Sequence, residues 1–202
     1  MDDTAQIDLG YLRKVTERGD HAPFLGGPHL IWWGSLATIA YLVHFAGASG
    51  RIGGGQIYLL VWAAFGIVGG IGQGFITRSL ANRAGAGSAG NEASRVAWLG
   101  AVAAIVSYLI GAALASGDGV YWAFDGSVPV VFAAYALALA VSGWLTGSVP
   151  VKLGTAGALA TVLVSTLFIG STSLWLVAAA GAFVSMLLPG AATLGAYRRS
   201  HG

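Results

Sequence analysis

Cysteine is missing from all 202 residues, and metal-binding clusters of other residue types are missing with it. Disulfides, thiolate metal sites and cysteine nucleophiles are therefore excluded together. Charge is scarce as well: Asp, Glu, Lys and Arg make up 9 % of the chain, where a soluble domain carries about a quarter. The scarcity has a pattern. None of these residues falls within 28–47, 55–77, 96–115, 128–147, 153–170 or 173–195. Ionisable groups inside spans mark proton relays and ion pathways. Their absence argues against a pump or a carboxylate-driven antiporter and leaves passive permeation open.

What fills those six intervals is apolar. Hydrophobic residues make up 56 % of the chain and the mean hydropathy is +0.74. A hydrocarbon core about 30 Å thick needs about 20 helical residues to cross it, and each interval is about that long. Backbone polar groups in lipid are satisfied only within helices or a closed barrel, and barrel strands alternate over about ten residues. Long continuous runs therefore predict an all-α fold: a polytopic membrane bundle of six transmembrane helices in three hairpins. A short amphipathic helix is expected ahead of it, over 4–18, with Ile7, Tyr11, Leu12 and Val15 on one face. This divides the chain into an N-terminal segment 1–27, a transmembrane domain 28–195 and a tail 196–202.

The cations set an orientation. Arg13, Lys14, Arg18, Arg78, Arg83, Arg95, Lys152, Arg198 and Arg199 fall on one side, and only Arg51 falls on the other, with Asp118 and Asp125. The positive-inside rule then predicts that both termini are cytoplasmic, and the expected location is the cell (inner) membrane. Trp32, Trp33, Trp98 and Trp144 fall at the inner boundary and Trp122 and Trp175 near the outer one, as in an aromatic belt. The first and third spans share a Trp-to-Tyr pattern (Trp33 to Tyr41, Trp98 to Tyr108) that suggests repeated hairpins.

The chain has 32 glycines, and small residues let membrane helices approach closely. Gly66, Gly70 and Gly74 recur every fourth residue on the second span, one turn beyond Trp62. This predicts a helix-packing face, within the bundle or between copies in a homo-oligomer, which Gly70→Leu would disrupt. Gln73 lies in the same turns and suits a cross-helix hydrogen bond. Between the second and third spans, the stretch 84–90 is small and flexible. Pro189-Gly190 is expected to kink or shorten the last helix.

The polar groups deepest in the spans are Tyr41, His44, Tyr108 and Tyr135. Burying an unpaired hydroxyl or imidazole costs a few kcal/mol. They are therefore expected to line an outward-facing vestibule that narrows toward Gln73. Two motif matches fail. Gly85, Gly87 and Gly90 satisfy G-x-G-x-x-G without the βαβ context that the fingerprint needs. The stretch Gly47-Ala48-Ser49-Gly50 resembles an intramembrane serine protease motif, but no histidine lies in a late span to activate Ser49. No catalytic residues, cofactor or metal are expected, and the chain reads as no enzyme.

Ala22-Pro23-Phe24-Leu25-Gly26, just before the first span, and Gly69, Gly70 and Gln73 in the second are similar to two motifs of the acetate/succinate permease family. The first motif lacks that family's Asn and leading Pro. The resemblance implies a six-span oligomeric pore for small carboxylates. Two functional classes follow: a channel or facilitator for a small neutral or weakly acidic solute, or a non-transporting accessory membrane protein that binds a protein partner. A reporter fused after Gly202 that is active only in an oxidising exterior is expected to stay silent. Activity there would overturn the six-span orientation.

Overall fold

The computed structural model describes residues 23–53, 56–117 and 122–201. The segment 4–18, Asp118 and Tyr121 lie outside them. The described residues are helical without a strand, and six of their helical stretches are long and apolar enough to cross a membrane. The chain is a multi-pass membrane protein.

Helix α1 spans Gly27–Ala48, with Pro28 in its first turn, where a missing N–H costs nothing. Helix α2 spans Gln56–Leu80. Helix α3, Ala89–Gly117, begins seven residues before the apolar interval. The reason is a cap: the Asn91 N–H donates to Ser88 Oγ at 3.3 Å, satisfying an orphan donor of the first turn. Part of the stretch expected to be flexible is therefore helix. The single turn α4 (Trp122–Asp125) leads into α5, Ser127–Leu145. Helix α6, Val149–Leu167, also starts early, at the turn carrying Pro150.

The last span has three parts: α7 (Ser173–Ala182), a π-helical turn (Phe183–Leu187) and α8 (Leu188–His201). Pro189 has no N–H for the Ser185 carbonyl four residues back. The helix widens just ahead of it, with the Leu188 N–H bonded to the Phe183 carbonyl five residues back. The span continues instead of ending. Gly154 of α6 packs against this turn, and a Cβ there would lie 2.6 Å from the Ser185 carbonyl oxygen. Only a glycine admits that approach.

Helix contacts follow the order α2, α1, α7–α8, α6, α5, α3. Three hairpins are present: α1 with α2, α3 with α5, and α6 with the last span. The row bends, because Phe132 of α5 meets both Tyr41 of α1 and the Gly181 position of α7. Phe132, Leu139, Leu174, Met186, Val128 and Val151 form the fully buried core of this bend. Over the apolar window of each span, 44 % of α5 and 56 % of the last span are buried, against 6 % of α2 and 11 % of α3. α2 and α3 are thus flanks attached to a closed centre. They are joined by the 81–88 turn, yet no extended packing joins one to the other.

Candidate functional site

The polar residues of the helices sort into four separate places. At the end of the bundle bearing Arg78, Arg83, Arg95 and Lys152, here the basic end, Gln73 ties α2 to α1. Its Oε1 accepts from the Trp33 indole N–H at 2.9 Å and pairs with His29 Nδ1 at 2.8 Å. As Oε1 can only accept, His29 carries its proton on Nδ1. The Trp32 indole donates to the Gly69 carbonyl at 3.2 Å, one turn away. Gln73 is engaged as a staple, eleven residues and roughly 16 Å along the helix from Trp62. It does not close the floor of a vestibule.

The glycines that receive α1 are Gly69 and Gly72. A Cβ at either would fall 2.3 Å from the rings of Trp33 and Trp32. Gly66, Gly70 and Gly74 have nothing within 4 Å of a built Cβ and stand exposed. Packing of α2 within the chain therefore uses a face rotated from the expected stripe, made of Trp62, Phe65, Gly69, Gln73 and Ile76. The small residues Gly100, Ala104 and Gly111 on one side of α3 are exposed in the same way.

The Asn91 side chain forms a second knot at the basic end, which the sequence reading missed. It donates to the Pro23 and Gly85 carbonyls, each at 3.0 Å, and accepts from the Leu25 N–H at 3.1 Å. It binds the run-in to α1, the 81–88 turn and the start of α3 together. A lone Asn three residues after Ser88 in a small-residue stretch was the available signal.

Toward the opposite end lies an aromatic knot. The His44 ring stacks on Trp175 at 3.6 Å and meets Tyr58 at 4.5 Å. Its Nδ1 accepts from the Trp62 indole at 3.0 Å, which holds the imidazole neutral with the remaining proton on Nε2. One turn deeper, Tyr41 packs against Trp62 at 5.1 Å, Trp175 at 6.2 Å and Phe132 at 6.3 Å. Across Phe132 (5.6 Å) stands Tyr135, which in turn meets Trp98 of α3 at 5.7 Å. Tyr41, His44 and Tyr135 thus share one cluster. Their rings fill the place where a vestibule was expected.

Tyr108 belongs elsewhere. The Ser94 hydroxyl donates to Ser142 Oγ at 2.7 Å, and Ser142 donates onward to the Ala138 carbonyl at 2.7 Å. With Trp98 against Tyr135, this fixes the antiparallel register of α3 and α5. Tyr108 lies ten residues past Trp98, roughly 15 Å along α3. The core hydroxyls of Ser185, Thr161 and Thr155 bond to carbonyls of their own helices, so they offer no polar track across the bundle. One crevice lies at the basic end among Phe24, Pro28, Leu80 and Thr193. Another lies between Thr38, Leu42, Leu176 and Phe183. Neither reaches the aromatic knot.

No family model matches this chain, and no curated protein or solved structure shows significant similarity to it. In thermal unfolding of the detergent-solubilised monomer, Gln73→Leu is expected to cost roughly 1–2 kcal/mol, since two α1 donors lose their acceptor. Gly70→Leu is expected to leave the transition within about 0.5 kcal/mol of the parent. The opposite pattern would put the glycine stripe back in the α1 seam.

Proposed function

We propose that this chain works by binding within the bilayer and does not pass a solute through its own interior. The observation that carries the reading is Tyr41, which is 5 % exposed and wedged between Trp62, Phe132 and Trp175 where three helices converge. A passage through the middle of one chain would have to part these rings. The polar groups that would line it are occupied: His44 by Trp62, Gln73 by Trp33 and His29. In this reading the protein is an accessory or regulatory membrane subunit with both termini on the cytoplasmic side of the inner membrane. Its lightly buried flanks α2 and α3 meet other components of the membrane, and the free glycine face of α2 suits close approach by another helix, including that of a second copy.

The facilitator reading keeps its place if a pathway runs between copies, as the permease resemblance implies. Solute flux separates the two. Liposomes containing the purified protein are expected to release acetate, succinate and glycerol no faster than protein-free liposomes. A saturable, protein-dependent flux of any of them would overturn the binding reading in favour of a facilitator.

A further inference from the structure

A hollow of about 290 Å³ lies in the seam between α1 and the last span, lined by Thr38, Leu42, Leu176, Ala179, Ala180 and Phe183. Its depth follows from residue size. Ala179 and Ala180 stand between the larger Leu176 and Phe183 at helical spacing, so the last span is notched there. Across the seam Thr38 is short, and its hydroxyl is turned back onto the Gly34 carbonyl at 2.7 Å. The groove therefore offers no free hydrogen-bond donor. Leu42, Leu176 and Phe183 at its rims are exposed, so it is open sideways to whatever surrounds the bundle.

Thr38 is the twelfth of the 22 residues in α1, so the groove begins near mid-membrane and runs away from the basic end. Thr38, Leu42 and Phe45 follow one another on one face of α1, at i, i+4 and i+7. From Thr38 to the end of α1 is roughly 15 Å, half of a hydrocarbon core about 30 Å thick. Past Ala48 the chain reverses. Gly50 takes a φ of 71°, and the Arg51 N–H bonds to the Ala46 carbonyl at 2.9 Å. The reversal folds Arg51 back, with its guanidinium 5.3 Å over the Phe45 ring. Among the described residues Arg51 makes no ion pair. The other charge described at that end, Asp125, accepts from the Gly170 N–H at 3.1 Å. An apolar groove one leaflet long thus has an unpaired cation at its head.

A void along the groove forfeits dispersion contacts with its lining, and the medium at that depth is hydrocarbon. A guanidinium at the membrane boundary pairs best with phosphate, through two parallel N–H···O bonds. The molecule that brings a hydrocarbon chain and a phosphate, one leaflet's length apart, is a phospholipid. We propose that the groove between α1 and the last span, headed by Arg51, is a binding site for one phospholipid. One acyl chain lies along Leu42 and Leu176, with its end over Ala180 and Phe183, and Arg51 donates to the phosphate. The site is lined by neither α2 nor α3. It goes beyond the binding reading above and stands whichever way solute flux turns out.

The test uses the full chain, stripped of lipid in detergent and titrated with dioleoyl phosphatidylglycerol, with bound lipid counted by native mass spectrometry. One equivalent is expected to bind saturably. Dioleoylglycerol, which has the chains without the phosphate, should bind about ten-fold more weakly, and glycerol phosphate, which has no chains, should not compete. Arg51→Gln is expected to raise half-saturation about ten-fold, as for loss of a charge-assisted hydrogen bond. Ala180→Phe, which fills the notch, should raise it similarly, while Arg78→Gln at the basic end should leave it unchanged. Lipids adding without a saturating first equivalent, equal binding of dioleoylglycerol, or an equal shift in Arg78→Gln would overturn the proposal. So would a dimeric parent that Ala180→Phe dissociates, since a second copy would then cover the groove. Thermal unfolding without lipid is the second measurement, with Ala180→Leu as a smaller filling. Both fillings should weaken binding and melt with the parent, because Ala180 is exposed. Weakened binding only in variants that melt lower would make Ala180 part of the fold, and would equally overturn the site.

Discussion

Phe132 is the residue on which this bundle turns. It is fully buried on α5, meets Tyr41 of α1, supports Tyr135 of its own helix, and abuts Gly181 of α7. Helices in lipid gain little from hiding apolar surface, since the tails are as apolar as the side chains, and association depends on close van der Waals fit. A large ring seated against a glycine provides that fit. It bends the row of helices so that α1 and α5, which are not sequence neighbours, share one aromatic cluster. The π-helical turn at Phe183–Leu187 serves the same end, because it carries the last span past Pro189 and keeps Gly154 against the Ser185 carbonyl.

Once the centre is closed, polar chemistry is left at the edges. The basic end is held by two amide side chains, Gln73 bonding α1 to α2 and Asn91 bonding the run-in to α1 to the start of α3. One turn along α3 from Asn91, toward the same end, the serine pair Ser94–Ser142 fastens α3 to α5. Each flank is thus attached by a hydrogen-bonded staple and a tryptophan, with little of its surface enclosed. Such helices can contact other molecules without opening the core.

The six spans were legible because the signal is thermodynamic and cumulative: twenty apolar residues without a charge admit few other fates. Span starts were less so. Ser88 capping α3 and Pro150 opening α6 act through single local bonds that hydropathy does not register. The Gly66, Gly70 and Gly74 face of α2 does not pack within the chain, because small residues at fourfold spacing mark a possible groove, whereas the tryptophans of α1 decide which groove is used. Trp32 and Trp33 fill the hollows at Gly72 and Gly69 and leave Gly66, Gly70 and Gly74 outside. Of the vestibule residues, Tyr41, His44 and Tyr135 do meet, but the rings that gather them, Phe132 and Trp175, carry no polar mark in the sequence. Tyr108 and Gln73 were grouped with them by polarity alone, and helix register sends them elsewhere.

The most direct test of a core closed by one ring is Phe132→Ala, compared with Leu137→Ala on the same helix, whose side chain is 68 % exposed. Thermal unfolding in nanodiscs is the measurement. Losing a fully packed Phe is expected to cost about 3 kcal/mol or more through the cavity it leaves, so the Phe132 variant should melt well below both the parent and the Leu137 variant. Equal melting of the two variants would show that α1, α5 and α7 do not meet at Phe132, and the account of a closed centre with two attached flanks would fall.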